Sequence, residues 1–264
     1  MRFAIAYSKK DIAGINIIQQ FKELAFAPEI PIIELKKESI YSEDIDKLPE
    51  LRNIDFLIFA TKHRSVKGEK SLSIHAPGNW RNADYGGKPG KICNTSAQVI
   101  KYLFQNLNKL AEDETLKDYK ITLECTHHGP LIKKPCCFIE LGSSEAQWEE
   151  KAPAKVLAKT IISLQNFKLN SKYIPVIGIG GPHYCPSFNK IQLNSDYAIS
   201  HIIPEYALPM IKTMLKEAEE KTTEQIKTVI LDWKGCGKSE QRQEIISLIE
   251  QAGLRYKRTS EVEK

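Results

Sequence analysis

All six histidines of this chain lie in short patches dense in Gly, Pro, Thr, Ser and Glu. The densest is Glu-Cys-Thr-His-His-Gly-Pro, Glu124 to Pro130, which follows the apolar alternating run from Tyr119 to Leu123. Imidazoles titrate near neutral pH, and a neutral ring nitrogen is a common metal ligand. His127 and His128 can therefore bind a metal or move protons. Glu124 beside them can be a ligand, an orienter of an imidazole or a general base.

Four other patches offer related chemistry. Thr61 to Ser65 places Lys62, His63, Arg64 and Ser65 after a strongly apolar run. Arg64 can fork onto a phosphate or carboxylate, which a lysine does less well. Ser73 to Trp80 carries His75 and Asn79 around a Pro77-Gly78 turn signal; Asn79 can position water or a carbonyl, and Trp80 suits packing better than base stacking. Gly178 to Pro186 offers the backbone of Gly180 and Gly181, suited to cradling an oxyanion, and then His183. In His201 to Leu208, His201 and Glu205 are four apart; Pro204 leaves His201 before a helix and Glu205 in its first turn.

Several familiar chemistries lack their signatures. There is no CxxC pair, no HExxH helix and no GxSxG elbow. The Gly178–Pro186 run lacks the third glycine of a dinucleotide fingerprint, and Pro182 blocks a helix there. The run Asp232 to Ser239 follows a strand and opens a helix, but it has aspartate where a phosphate loop needs its first glycine. What remains there is anion contact through Lys234, Lys238 and the helix start.

The elements that must position these groups alternate. Arg2–Tyr7, Ile32–Leu35, Ile54–Ala60, Ser71–His75, Tyr119–Glu124, Cys136–Leu141, Tyr173–Ile179 and Thr228–Trp233 read as strands. Asp11–Leu24, Thr95–Leu110 with Thr95 as N-cap, Ser144–Asn166, Pro204–Glu220 and Ser239–Gln251 read as helices. Strands separated by helices of this length predict an α/β fold: one three-layer domain with a mainly parallel sheet. In such a sheet the strand ends share an edge, where ligands bind. His63, His127, His128 and His183 all follow predicted strands, so they are expected to meet.

The 264 residues are 42% hydrophobic and 27% charged, which excludes wholesale disorder, and no apolar run is long enough to cross a bilayer. The opening MRFAIAYSKKDIAG reads as a first strand and loop rather than a secretory leader. The six irregularly spaced cysteines point to reduced thiols and a cytoplasmic protein. A net charge of +5 is compatible with a phosphate-bearing partner; positive side chains gather at Lys62–Lys67, at Lys88 and Lys91, and at Arg255–Arg258. No heptad repeat or long apolar edge stands out, so a monomer is expected. Together these residues suggest a histidine-rich cleft hydrolase with an anionic substrate.

The patches SKK at Ser8, KHRS, HAPGN, ECTHHGP, GIGGPHY and HIIPEYAL, in that order, resemble the archaeal and plant type of D-aminoacyl-tRNA deacylase. The resemblance runs from Met1 to about Arg258. It implies hydrolysis of the ester between a D-amino acid and the terminal ribose of tRNA, zinc (Zn²⁺) as cofactor, and a phosphorylase/hydrolase-like fold akin to peptidyl-tRNA hydrolase. On that reading His127, His128, Glu124 and His183 are catalytic, and His127, His128, His183 and Glu205 hold metal. Lys62, His63, Arg64, Ser65, His75, Asn79, Gly180 and Gly181 bind the acceptor end of the D-aminoacyl-tRNA. The competing readings are a nucleoside phosphorylase-like or peptidyl-tRNA hydrolase-like enzyme and a non-catalytic tRNA-binding module.

Overall fold

Alternation along the strand Cys136–Gly142 organises the molecule. Cys137, Ile139 and Leu141 enter one apolar core, whereas Cys136 and Phe138 enter another. Side chains two apart in a strand share a face, so Glu140 lies on the Phe138 face. The structure, a computed structural model, describes residues 1–24, 30–114 and 116–262.

The elements in chain order are β1 (Phe3–Ser8), α1 (Ile12–Leu24), β2 (Ile32–Leu35), β3 (Phe56–Lys62), β4 (Ser71–His75), β5 (Gly78–Asn79), β6 (Lys91–Ile92), α2 (Ala97–Asp113), β7 (Lys120–Leu123), β8 (Cys136–Gly142), α3 (Glu145–Trp148), α4 (Lys151–Ile162), β9 (Ile174–Ile179), α5 (Pro186–Asn194), β10 (Tyr197–Ile203), α6 (Lys212–Glu220), β11 (Thr228–Leu231), α7 (Ser239–Gln251) and β12 (Arg255–Arg258).

The α/β, mainly parallel reading holds, with the strands shared between sheets. Six strands pair in the order β2-β1-β3-β8-β4-β7 and four in the order β10-β9-β11-β12; β5 and β6 form a small ribbon. In the six-stranded sheet β4 runs antiparallel to β8, and β7 runs parallel to β4. The strand ends therefore do not all share one edge. His63 leaves the end of β3, whereas His75 closes β4 beside Phe138. The groups meet over the Phe138 face instead.

One face of the six-stranded sheet packs on α1, α2 and α4, which bring Ile17, Phe21, Leu103, Phe104 and Leu157 into its core. That core continues onto the four-stranded sheet through Val176, Ile199, Ile202 and Ile230. Ile177, Ile179, Val229 and Leu231 point the other way, onto Met214 and Leu215 of α6 and Ile245 and Ile249 of α7. Among the described residues the Phe138 face carries no long helix; Ile45, Leu51, Ile54, Cys93 and Ile132 from short turns and loops cover it.

Boundaries moved where local chemistry overruled periodicity. Ser96, not Thr95, caps α2: its Oγ accepts from the Val99 N–H at 3.2 Å, while Glu224 accepts from the Ala97 and Gln98 N–H groups. Thr95 instead donates to the Cys136 carbonyl. The stretch expected as one helix from Ser144 splits into α3 and α4, because Pro153 has no N–H to continue the earlier turn. Pro209 likewise holds Leu208 extended, so α6 begins at Lys212. His201, expected just before a helix, lies in β10, and α5 and β12 were also unmarked by the pattern.

Candidate active site

Glu140 is a lone carboxylate in an otherwise uncharged, fully buried strand, and an ionised group there needs compensation. Its neighbours supply it. Thr61, its register partner on β3, donates from Oγ1 to Oε1 at 3.0 Å. His63 Nδ1 lies 3.4 Å from Oε2, and His75 Nε2 and His128 Nε2 lie 3.6 and 3.8 Å from Oε1. Burial alone would raise this carboxyl; the surrounding His128, His63 and His75 overcome burial and hold it well below the usual range.

Glu124 arrives from the end of β7, its N–H bonded to the Ile74 carbonyl. Its side chain is wholly buried; Oε1 lies 3.1 Å from His63 Nδ1, and Oε2 lies 3.1 Å from His183 Nε2 and 3.5 Å from His127 Nε2. Burial raises this group too, and His183 and then His63 outweigh it, so Glu124 titrates low. Burial depresses His63, but Glu140 and Glu124 more than offset it and its pKa is raised. His183 is lifted to about 11 by Cys125 and Glu124 against burial. The two carboxylates thus favour the protonated forms of His63 and His183. Tyr184 pins His63 from the other side, its hydroxyl 2.9 Å from Nε2.

Three imidazoles are set up differently. His75, His127 and His128 each turn Nδ1 toward a backbone carbonyl, of Ala76, Cys125 and Gly129, at 3.2, 2.8 and 2.6 Å. An Nδ1–H that donates to a carbonyl leaves the Nε2 lone pair for a ligand. Burial and then the neighbouring His75, His128 and His183 push His127 well below its ordinary value, so it stays neutral.

The donor set fits a divalent cation. His75 Nε2 is buried without a hydrogen-bond partner. Ligand atoms within 4.8 Å of one another are offered by His75, His127 and His128, by Cys125, His127 and His183, and by His63, Glu124 and Glu140. Imidazole, carboxylate and thiolate donors in such sets suit zinc.

The profile of the D-aminoacyl-tRNA deacylase family matches residues 50–257, a stretch that contains every residue of this cluster. Curated relatives extend the likeness. The D-aminoacyl-tRNA deacylase of Thermococcus onnurineus is 33% identical, with 96% of this chain and 98% of that protein aligned. That of Thermococcus kodakarensis is 34% identical over 94% and 97%, and that of Methanocaldococcus jannaschii 30% over 98% and 100%. The chain belongs to the D-aminoacyl-tRNA deacylase family. A crystal structure of a conserved protein of unknown function shares the fold with a TM-score of 0.91 and 27% identity, covering 99% of this chain and 96% of that one.

Other residues expected at the site of this deacylase-family chain have different surroundings. His63 and His75, expected to bind the acceptor end, are buried members of the cluster. Lys62 is paired with Glu38 at 2.8 Å, Arg64 is exposed, and the Ser65 N–H donates to the Ser143 carbonyl. Asn79 spends its amide on the Gly86 carbonyl at 2.8 Å, bracing the Gly86-Gly87 turn. The Gly180 N–H already donates to the Ile203 carbonyl at 2.8 Å, so it is not free for an oxyanion. Gly180 and Gly181 have φ of 92° and 81° and let the Asp232–Gly235 loop pack closely.

Glu205 is exposed and joins none of the ligand groups among the described residues; Glu140, unmarked in the sequence reading, is the second acid. A charged residue inside the run Cys-Cys-Phe-Ile-Glu-Leu was the signal that could have found it. Cys125 and Tyr184 were missed as well. His201 stands apart, buried with Nδ1 near Thr126 Oγ1 at 3.2 Å.

Proposed function

We propose that this chain hydrolyses the ester linking a D-amino acid to the 3′-terminal ribose of tRNA, acting as a carboxylic ester hydrolase on the acceptor end. The observation that carries this reading is the convergence of His63, His75, His127, His128 and His183 on Glu124 and Glu140 within a chain that aligns end to end with D-aminoacyl-tRNA deacylases. The protein works as a cytoplasmic monomer on this reading.

His75, His127 and His128 would hold zinc through Nε2. When bound, zinc supplies Lewis-acid polarisation of the ester carbonyl and of water near neutral pH. Glu124 takes a proton from the attacking water as its oxygen bonds to the ester carbon. His183, whose side chain is the most exposed of the five at 32%, faces the opening and carries a proton. It gives that proton to the ribose oxygen as the carbon–oxygen bond breaks. The proton on Glu124 then returns to His183 across their 3.1 Å contact. Glu140 and Tyr184 touch no substrate; they fix His63, His75 and His128. Arg64, exposed at the end of β3, meets the phosphates of the acceptor end.

The test is hydrolysis of D-tyrosyl-tRNA and L-tyrosyl-tRNA by the purified protein. Release of tyrosine from the D-ester alone supports the proposal; equal or absent release refutes it.

A further inference from the structure

A surface tyrosine ordinarily buries its ring and wets its hydroxyl. Tyr206 does the reverse. The residue is 60% exposed, yet its hydroxyl points inward and lies 2.9 Å from Cys125 Sγ. The same sulfur lies 3.4 Å from His183 Nδ1, so the ring is fastened to the rim of the histidine cluster.

The backbone that carries Tyr206 is fixed from two sides. The Glu205 N–H donates to the Gly181 carbonyl at 2.9 Å. Arg81 donates from Nε to the Ala207 carbonyl at 2.9 Å and from Nη2 to the Pro209 carbonyl at 2.5 Å. An exposed aromatic face held this firmly loses little freedom when a flat ligand lies on it.

We infer that Tyr206 is the stacking platform for the 3′-terminal adenine of the tRNA substrate. This rests on the proposed deacylase reading, because the scissile ester sits on the ribose of that nucleotide. A base lying on Tyr206 therefore places its own ribose next to Cys125 and His183. Stacking on a protein aromatic is worth roughly 1–3 kcal/mol per base, or about five- to 150-fold in binding. The platform reads the terminal nucleotide of any tRNA and leaves the amino acid to the cluster side.

The experiment compares two acceptor-stem RNA hairpins, one ending in CCA and one in CC, by fluorescence anisotropy. Binding does not require catalysis, so loss of D-tyrosyl-tRNA hydrolysis by the wild type would refute the deacylase reading separately. The wild type binds the CCA form tighter by the factor above. Tyr206→Trp and Tyr206→Leu both lose the hydroxyl, so any disturbance from freeing Cys125 falls on both. The tryptophan variant keeps the CCA preference, the leucine variant brings the ratio near one, and Tyr206→Leu raises KM for D-tyrosyl-tRNA more than it lowers kcat. A wild type without CCA preference, or equal ratios in the wild type, Trp and Leu proteins, overturns the proposal. So does a leucine-variant defect that tracks the size of the D-amino acid while the CCA preference stays intact.

Discussion

His63 Nδ1 lies between two buried carboxylates, 3.4 Å from Glu140 Oε2 and 3.1 Å from Glu124 Oε1. The two acids come from different strands, and Glu140 further reaches His75 and His128. Glu140 is therefore the brace of the cluster. Glu140→Gln keeps the shape and removes the charge. Groups that orient metal-binding imidazoles cost about 10–100-fold in affinity or activity when replaced. Steady-state hydrolysis of D-tyrosyl-tRNA should fall by that factor with an unchanged circular dichroism spectrum; retained activity would contradict the role.

His75 Nε2, buried without a hydrogen-bond partner beside His127 and His128, sets an expectation for metal. Elemental analysis of the purified protein should find zinc, and His127→Ala should lower its content. Chelation should abolish ester hydrolysis and added zinc restore it. Full activity in metal-free protein would remove the metal from the account.

Tyr184 is expected to act through His63 rather than on substrate, since its hydroxyl is 2.9 Å from His63 Nε2. Tyr184→Phe should lower kcat several-fold and leave KM within about twofold. A KM effect alone would mean that the phenol binds substrate instead.

His201 supplies a stability prediction independent of catalysis. It is fully buried, and burial pulls its pKa down to about 4 from an ordinary 6.5. Between those values the unfolded chain binds a proton that the folded chain does not. Stability therefore falls as pH drops from 6.5 to 4, by roughly 3 kcal/mol at most. Urea unfolding should show the wild type losing about that much more than His201→Gln over this window; parallel losses would contradict it.

Much of this arrangement was legible in sequence, for identifiable reasons. The buried runs around Ile58 and Ile230 read as strands because their apolar character is local. His63, His127, His128 and His183 read as a converging set because each follows such a run. The antiparallel turn of β4 was not legible, since strand direction depends on contacts between distant segments. Glu140 escaped because its role appears only when His63, His75 and His128 are folded against it. Glu205 was expected in the cleft with the imidazoles, but it is exposed after β10 and joins none of the ligand groups among the described residues.

The buried acids and imidazoles are proposed as the reaction centre for a D-aminoacyl ester. The most direct test of this is the rate of tyrosine release from D-tyrosyl-tRNA by the wild type and by Glu124→Gln, with L-tyrosyl-tRNA alongside. Release from the D-ester only is expected, with a loss of about 100-fold or more in the variant. Undiminished release by Glu124→Gln would contradict it.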